Sequence, residues 1–446
     1  MKFRKLGRIA LATAASLFIG FGTQSCYYYT EAYVIVTGSQ YNQVASYREQ
    51  NQTGLLAITP HSPLSSGGSN PIRAMLLNGG RYVYVLNQGT PKANADGSIT
   101  WTGANVSLFS IGGDGQLAFQ QSYPSQGRGS LRLALSTTGN YLYILDQYQS
   151  NGSDPNTTLA SKAVSPATPC FDASAGVFRP AGDITAYSVD PATGRLFLVP
   201  NQQLQNSFGT PLTYFPIGCG AIDFHFLGNY LYTAENTDPA NPTTAGQVVY
   251  AYSLNTLNGQ LVQVPGGSQP VPGATNIGVL GVSANGTWLY VLDNGTNQIY
   301  TFTQGGNGLL SAISTGATAN APGAAIMTAL ATDSKNQYLY VTNTGSTTLG
   351  SSASVISAFT ITPNTGALTL FNVNNTGSAT YGVGTTPVCI FEDPSHQYIY
   401  TANAGSSNIT GAKLEPNTGL LTSLTKGSTF PTVGTPTWCL YSPNTN

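Results

Sequence analysis

The sequence predicts an all-β protein folded as a seven-bladed β-propeller, with ring closure by a C-terminal strand that completes blade 1. Three observations carry this prediction. A tyrosine-led phrase recurs as Tyr82-Val-Tyr-Val-Leu-Asn87, Tyr141-Leu-Tyr-Ile-Leu-Asp146, Tyr230-Leu-Tyr-Thr-Ala-Glu235, Trp288-Leu-Tyr-Val-Leu-Asp293, Tyr338-Leu-Tyr-Val-Thr-Asn343 and Tyr398-Ile-Tyr-Thr-Ala-Asn403, with a shorter copy from Tyr33. A turn pair tracks it seven times, ending in Gly54, Gly115, Gly194, Gly259, Gly308, Gly366 and Gly419, and a Leu follows soon after each. A last strand-like segment, Gly434 to Pro443, has no repeat behind it.

Each repeat reads as four strands. Strand A is a small apolar run such as Gly278-Val-Leu-Gly-Val282, followed by a tight turn such as Ser283-Ala-Asn-Gly286. The Tyr-x-Tyr phrase is strand B. Strand C alternates with period two, as in Val355-Ile-Ser-Ala-Phe-Thr-Ile361. The Gly pair supplies the positive φ that a C–D hairpin turn requires. Four strands in a repeat of about 40 to 60 residues is a propeller blade. The first repeat lacks strand A, and Gly434–Pro443 matches Gly384–Pro394 in its proline spacing, so the last strand is expected to join blade 1.

The N-terminus reads as a targeting segment. Lys2, Arg4, Lys5 and Arg8 precede a 14-residue apolar stretch, Ile9 to Gly22. That stretch is short for a spanning helix, which needs about 20 residues. Thr23-Gln24-Ser25-Cys26 follows and resembles a lipoprotein lipobox, which would make Cys26 the lipidated mature N-terminus. Ordinary signal-peptidase cleavage after Ser25 is the alternative. The expected layout is a signal segment over 1–25, a short tether over 26–32 and the propeller over 33–446. Either route of cleavage places the protein outside the cytoplasm, as an envelope lipoprotein, a periplasmic protein or a secreted one.

Composition narrows the function. Charged residues make up 7% of the 446 residues and the net charge is −1, so no basic face for nucleic acid is expected. The phrases, best seen at Tyr340-Val-Thr-Asn343, look like the repeats called YVTN. The pattern over 33–446 resembles the seven-bladed lactonase family, which includes 6-phosphogluconolactonase-type and muconate-lactonising enzymes. The count of seven argues against the calcium-dependent six-bladed gluconolactonases.

In such a fold the A–B and C–D turns share one face, and the B–C and D–A connections share the other. The long connections fall between strands B and C, at about 88–104, 147–181, 236–246 and 344–353, and therefore decorate one face. Arg73 and Arg132 occupy the same position early in strand A, where the other blades carry Ala221, Val279, Ala329, Cys389 and Trp438. With Arg128 nearby, they are the candidate grip for a carboxylate or phosphate. A structural pairing with Asp146 or another acid is the alternative. Asp146, Glu235 and Asp293 end B strands and are the candidate acids, against a reading in which each bonds backbone amides where its strand turns out. The resemblance implies a histidine, an acid and arginines at the channel mouth. The stretch Arg128-Gly-Ser-Leu-Arg132 contains no histidine. His225 aligns with Ser283, Asp333 and Asp393 and reads as a turn cap. His396 lies in an A–B turn, and His61 stands alone beside prolines. No metal-ligand spacing occurs and no cofactor is expected.

Cys170, Cys219, Cys389 and Cys439 form an even set in an oxidising compartment. Cys170 with Cys219 would pin the blade 3 insertion. Cys389 with Cys439 would latch the closing seam, with two free buried thiols as the alternative. The reading is an envelope binding or interaction module, with lactone hydrolysis by Arg73, Arg132 and one of the three acids as the alternative. The expected partner is a small molecule, a glycan or an envelope protein on the loop-rich face. Membrane contact would be through the lipid anchor only, and a monomer is expected.

Overall fold

The computed structural model describes residues 29–93, 99–149, 171–172, 177–178, 181–205, 208–235, 246–345 and 353–443. Cys26, Cys170 and the whole targeting segment lie outside them, as does most of the blade 3 insertion. So does the side chain of Cys219, whose backbone ends a short strand paired with Ala181.

Seven antiparallel sheets stand around a central channel, each four strands wide, and in five of them the outermost strand is split into two short pieces that both pair with strand C. Their inner A strands run Pro436–Pro443, Pro71–Leu76, Arg128–Leu135, Ala221–Leu227, Ile277–Val282, Met327–Thr332 and Pro387–Glu392 for blades 1 to 7. These strands touch one another in that cyclic order, the last meeting the first. Blade 1 is closed as expected. Its B strand, Thr30–Gly38, begins inside the stretch expected as tether, and it pairs with the C-terminal strand in the register Val34↔Tyr441 and Val36↔Cys439. Cys389 and Cys439 are disulfide-bonded across the seam between blades 7 and 1, with Cα atoms 5.7 Å apart.

The two recurring phrases form one device. Each first aromatic of a B strand covers the turn glycine of the next blade. A Cβ on Gly308 would lie 2.3 Å from the Tyr230 ring, and one on Gly419 2.6 Å from Tyr338. Each turn glycine has positive φ, +81° at Gly308 and +70° at Gly419, so glycine is required twice over. In five of the seven blades the second aromatic of the phrase is a fully buried tyrosine that donates to that glycine's carbonyl, as in Tyr232 to Gly308 (2.8 Å) and Tyr340 to Gly419 (2.9 Å). The last link runs from Tyr400 to Gly54, from blade 7 back to blade 1. Apolar side chains fill each space between neighbouring blades. One such cluster joins Tyr84, Leu86 and Leu108 of blade 2 to Leu133, Leu142 and Ile144 of blade 3.

Candidate functional site

All seven A strands carry a β-bulge at the same level, directly before one position. A bulge re-aims the side chain that follows it. The residues so placed are Trp438, Arg73, Arg132, Asp223, Val279, Ala329 and Cys389 in blades 1 to 7. Two arginines and an aspartate therefore stand side by side on blades 2, 3 and 4. The blade 4 position is Asp223, not Ala221, which pairs with Glu235 one step before the bulge.

His225 is corrected by the same register. It lies in strand A opposite Tyr232, matching Gly281 of blade 5 opposite Tyr290, and is not a turn cap. The blade 4 strands are joined by Gly228 and Asn229 alone, whereas blade 5 spends Ser283 to Thr287 on the same turn. Counting back from the tyrosines thus misplaces blade 4 by two residues.

These groups line a channel cavity of about 180 Å³ that Arg73, Arg132, Asp223, His225 and Trp438 share. Arg132 Nε donates to Asp223 Oδ1 at 2.8 Å, and its Nη1 donates to the Leu131 carbonyl at 3.0 Å. The Asp223 carboxylate also accepts the amides of Phe224 and Leu280, both at 2.9 Å, which fixes it to blades 4 and 5. Arg73 differs. Its guanidinium carbon lies 4.2 Å from the centroid of the Trp438 ring, and Nη1 donates to the Ile72 carbonyl at 2.9 Å. No carboxylate among the described residues forms an ion pair with it. Burial and then the charge of Arg132 push its pKa well below the usual arginine range, with Asp223 opposing. An arginine nonetheless keeps its proton in proteins, so a positive charge sits here without full compensation.

Burial also holds the His225 pKa below its ordinary value. Asp223 opposes this, while Arg132 and Arg73 reinforce it. The imidazole is neutral at neutral pH, lines the cavity and makes no hydrogen bond among the described residues. The cavity therefore combines a cationic grip with a neutral base.

The candidate acids lie outside this cavity. Asp146, Glu235 and Asp293 are fully buried at their strand ends. Asp146 accepts hydroxyl hydrogen bonds from Ser125, Ser130 and Thr185, and burial raises its pKa. Asp293 accepts the amides of Thr275, Asn276, Gly295 and Thr296. Glu235 accepts the Thr233 hydroxyl at 3.0 Å. Asp293 thus bonds backbone amides where its strand turns out, whereas Asp146 is held by side-chain hydroxyls. Arg128 is turned away from the cavity as well, its Nη2 donating to the Gln149 carbonyl at 3.4 Å. His396 pairs with Glu392 at 3.3 Å at the opposite, tight-turn face.

Comparison with known proteins agrees with the architecture. Residues 248–440 match the family model described as "Lactonase, 7-bladed beta-propeller". No curated protein sequence matches the chain. Among solved structures, the periplasmic gluconolactonase PpgL of Pseudomonas aeruginosa superposes with a TM-score of 0.63 at 16% identity, over 92% of this chain and 99% of that one. A candidate 6-phosphogluconolactonase of Bacteroides fragilis gives 0.61 at 16% identity, over 92% and 98%. One from Bacteroides uniformis gives 0.62 at 14%, over 93% and 100%. Likeness at these identities establishes the fold.

Proposed function

We propose that this chain, a lactonase-like seven-bladed β-propeller, binds a small carboxylate- or phosphate-bearing molecule in its central channel. The observation that carries the reading is Arg73, a largely buried guanidinium stacked on Trp438 with no carboxylate partner among the described residues. A buried charge is costly unless it is paired, and an anionic ligand would supply the pair. Arg132, held by Asp223, adds a second, pre-oriented cation. The signal-like first 26 residues support placing this binding in the cell envelope, with Cys26 as the lipid attachment point.

Calorimetric titration of the purified protein with gluconate and with simple carboxylates tests the reading. Saturable binding that weakens at least about ten-fold in Arg73→Ala is expected, in line with loss of a charged hydrogen-bonding partner. Equal binding by wild type and variant would remove the channel from consideration.

Lactone hydrolysis is the second reading, favoured by His225. A neutral imidazole can take a proton from water as its oxygen attacks the lactone carbonyl, while the arginines stabilise the developing oxyanion. The ring C–O bond then breaks, the imidazolium returns the proton to the alkoxide, and a hydroxy acid leaves. A pH-stat assay over sugar and acyl lactones separates the two readings. Hydrolysis abolished in His225→Gln, with ligand binding retained, supports catalysis. Absence of hydrolysis across the panel leaves binding alone.

A further inference from the structure

The channel cavity is two-sided. Arg73, Arg132, Asp223 and His225 all come from blades 2, 3 and 4. Opposite them stand Val279, Val282, Ala329, Leu330 and Ile390 from blades 5, 6 and 7. The one side-chain hydroxyl on that wall, Thr328, is already committed. It donates to the Pro387 carbonyl at 2.7 Å and shares a hydrogen bond with Thr342 at 2.9 Å. At blade 5 the backbone amide of Leu280 is likewise taken, by Asp223. A polyhydroxylated acid would bury hydroxyls against this wall with no side-chain partner, and an unpaired buried hydroxyl is penalised. An alkyl chain meets no such penalty.

We infer that the channel ligand is an amphipathic carboxylate, with its head on Arg73 and Arg132 and a short apolar body against blades 5 to 7, rather than a sugar acid. The inference rests on the channel-binding reading above and names the class of molecule that site takes. If the protein hydrolyses lactones, the corresponding substrate is an alkyl-substituted lactone.

Calorimetric titration of the purified full-length protein with acetate, butyrate, hexanoate and gluconate tests it. Affinity should rise along the three fatty acids, by up to about four-fold per methylene, and gluconate should bind more weakly than hexanoate. Val279→Thr, which places a hydroxyl on the apolar wall with little change in volume, should weaken hexanoate and narrow the gap to gluconate. Its melting curve verifies folding independently of binding. Gluconate binding as tightly as hexanoate, with both lost in Arg73→Ala, would overturn this inference and leave the channel reading intact. Hexanoate binding indifferent to both Arg73 and Val279 would overturn both.

Discussion

At the scale of single residues, the seam between blades 7 and 1 holds an acid in an unusual state. Glu49 is fully buried and accepts the Tyr400 hydroxyl at 2.9 Å. Burial, and then the charge of Asp393, push its pKa up to about 9, while the Tyr400 hydrogen bond opposes them. The folded protein therefore keeps a proton that the unfolded chain releases above its ordinary carboxyl pKa of 4.5. Stability contributed by this group is complete in acid and is lost as pH rises from there through about 9. Glu49→Gln should melt like wild type near pH 4 and at higher temperature than wild type at alkaline pH, read by calorimetric melting curves. His225 shifts the other way. Its pKa is depressed, so its contribution to stability is present above the ordinary histidine value of 6.5 and is lost as pH falls below it. Because an anion beside it favours the imidazolium, carboxylate affinity should rise as pH drops through that range, and His225→Gln should flatten the rise.

At the scale of elements, two local devices explain both what could be read from the sequence and what could not. The Tyr-x-Tyr strand and the turn glycine recur because each pair locks two blades, so the pattern is printed in every repeat. Gly308→Ala adds a strained positive φ and a collision with Tyr230. It should cost roughly 2–4 kcal/mol in denaturant unfolding, whereas Gly306→Ala, with open space around it, should cost far less. Arg73 and Arg132 were legible because bulge and turn have the same length in blades 2 and 3. Asp223 and His225 were not, because the shorter blade 4 turn shifts the strand by two residues relative to the tyrosine and carries no motif that announces the shift. The strand-end acids looked catalytic by residue type alone. Their role as anchors depends on which amides and hydroxyls surround them, and loop conformation decides that.

At the scale of the whole molecule, closure and site are joined through one strand. The C-terminal strand completes blade 1, carries Cys439 of the latch and supplies Trp438 beneath Arg73. The disulfide closes a loop of 50 residues. A cross-link of that span contributes about 4 kcal/mol by restricting the unfolded chain. The paired Cys389→Ala and Cys439→Ala variant should lose stability of that order in denaturant titration while retaining its β-sheet circular dichroism. The proposed ligand sits in the channel, not among the long connections between strands B and C. A crystal structure of the protein with hexanoate is the decisive measurement. The carboxylate is expected beside the Arg73 guanidinium and the chain against Val279 and Leu330. A ligand held by residues 88–104 or 236–246, with the channel free of it, would overturn the channel reading.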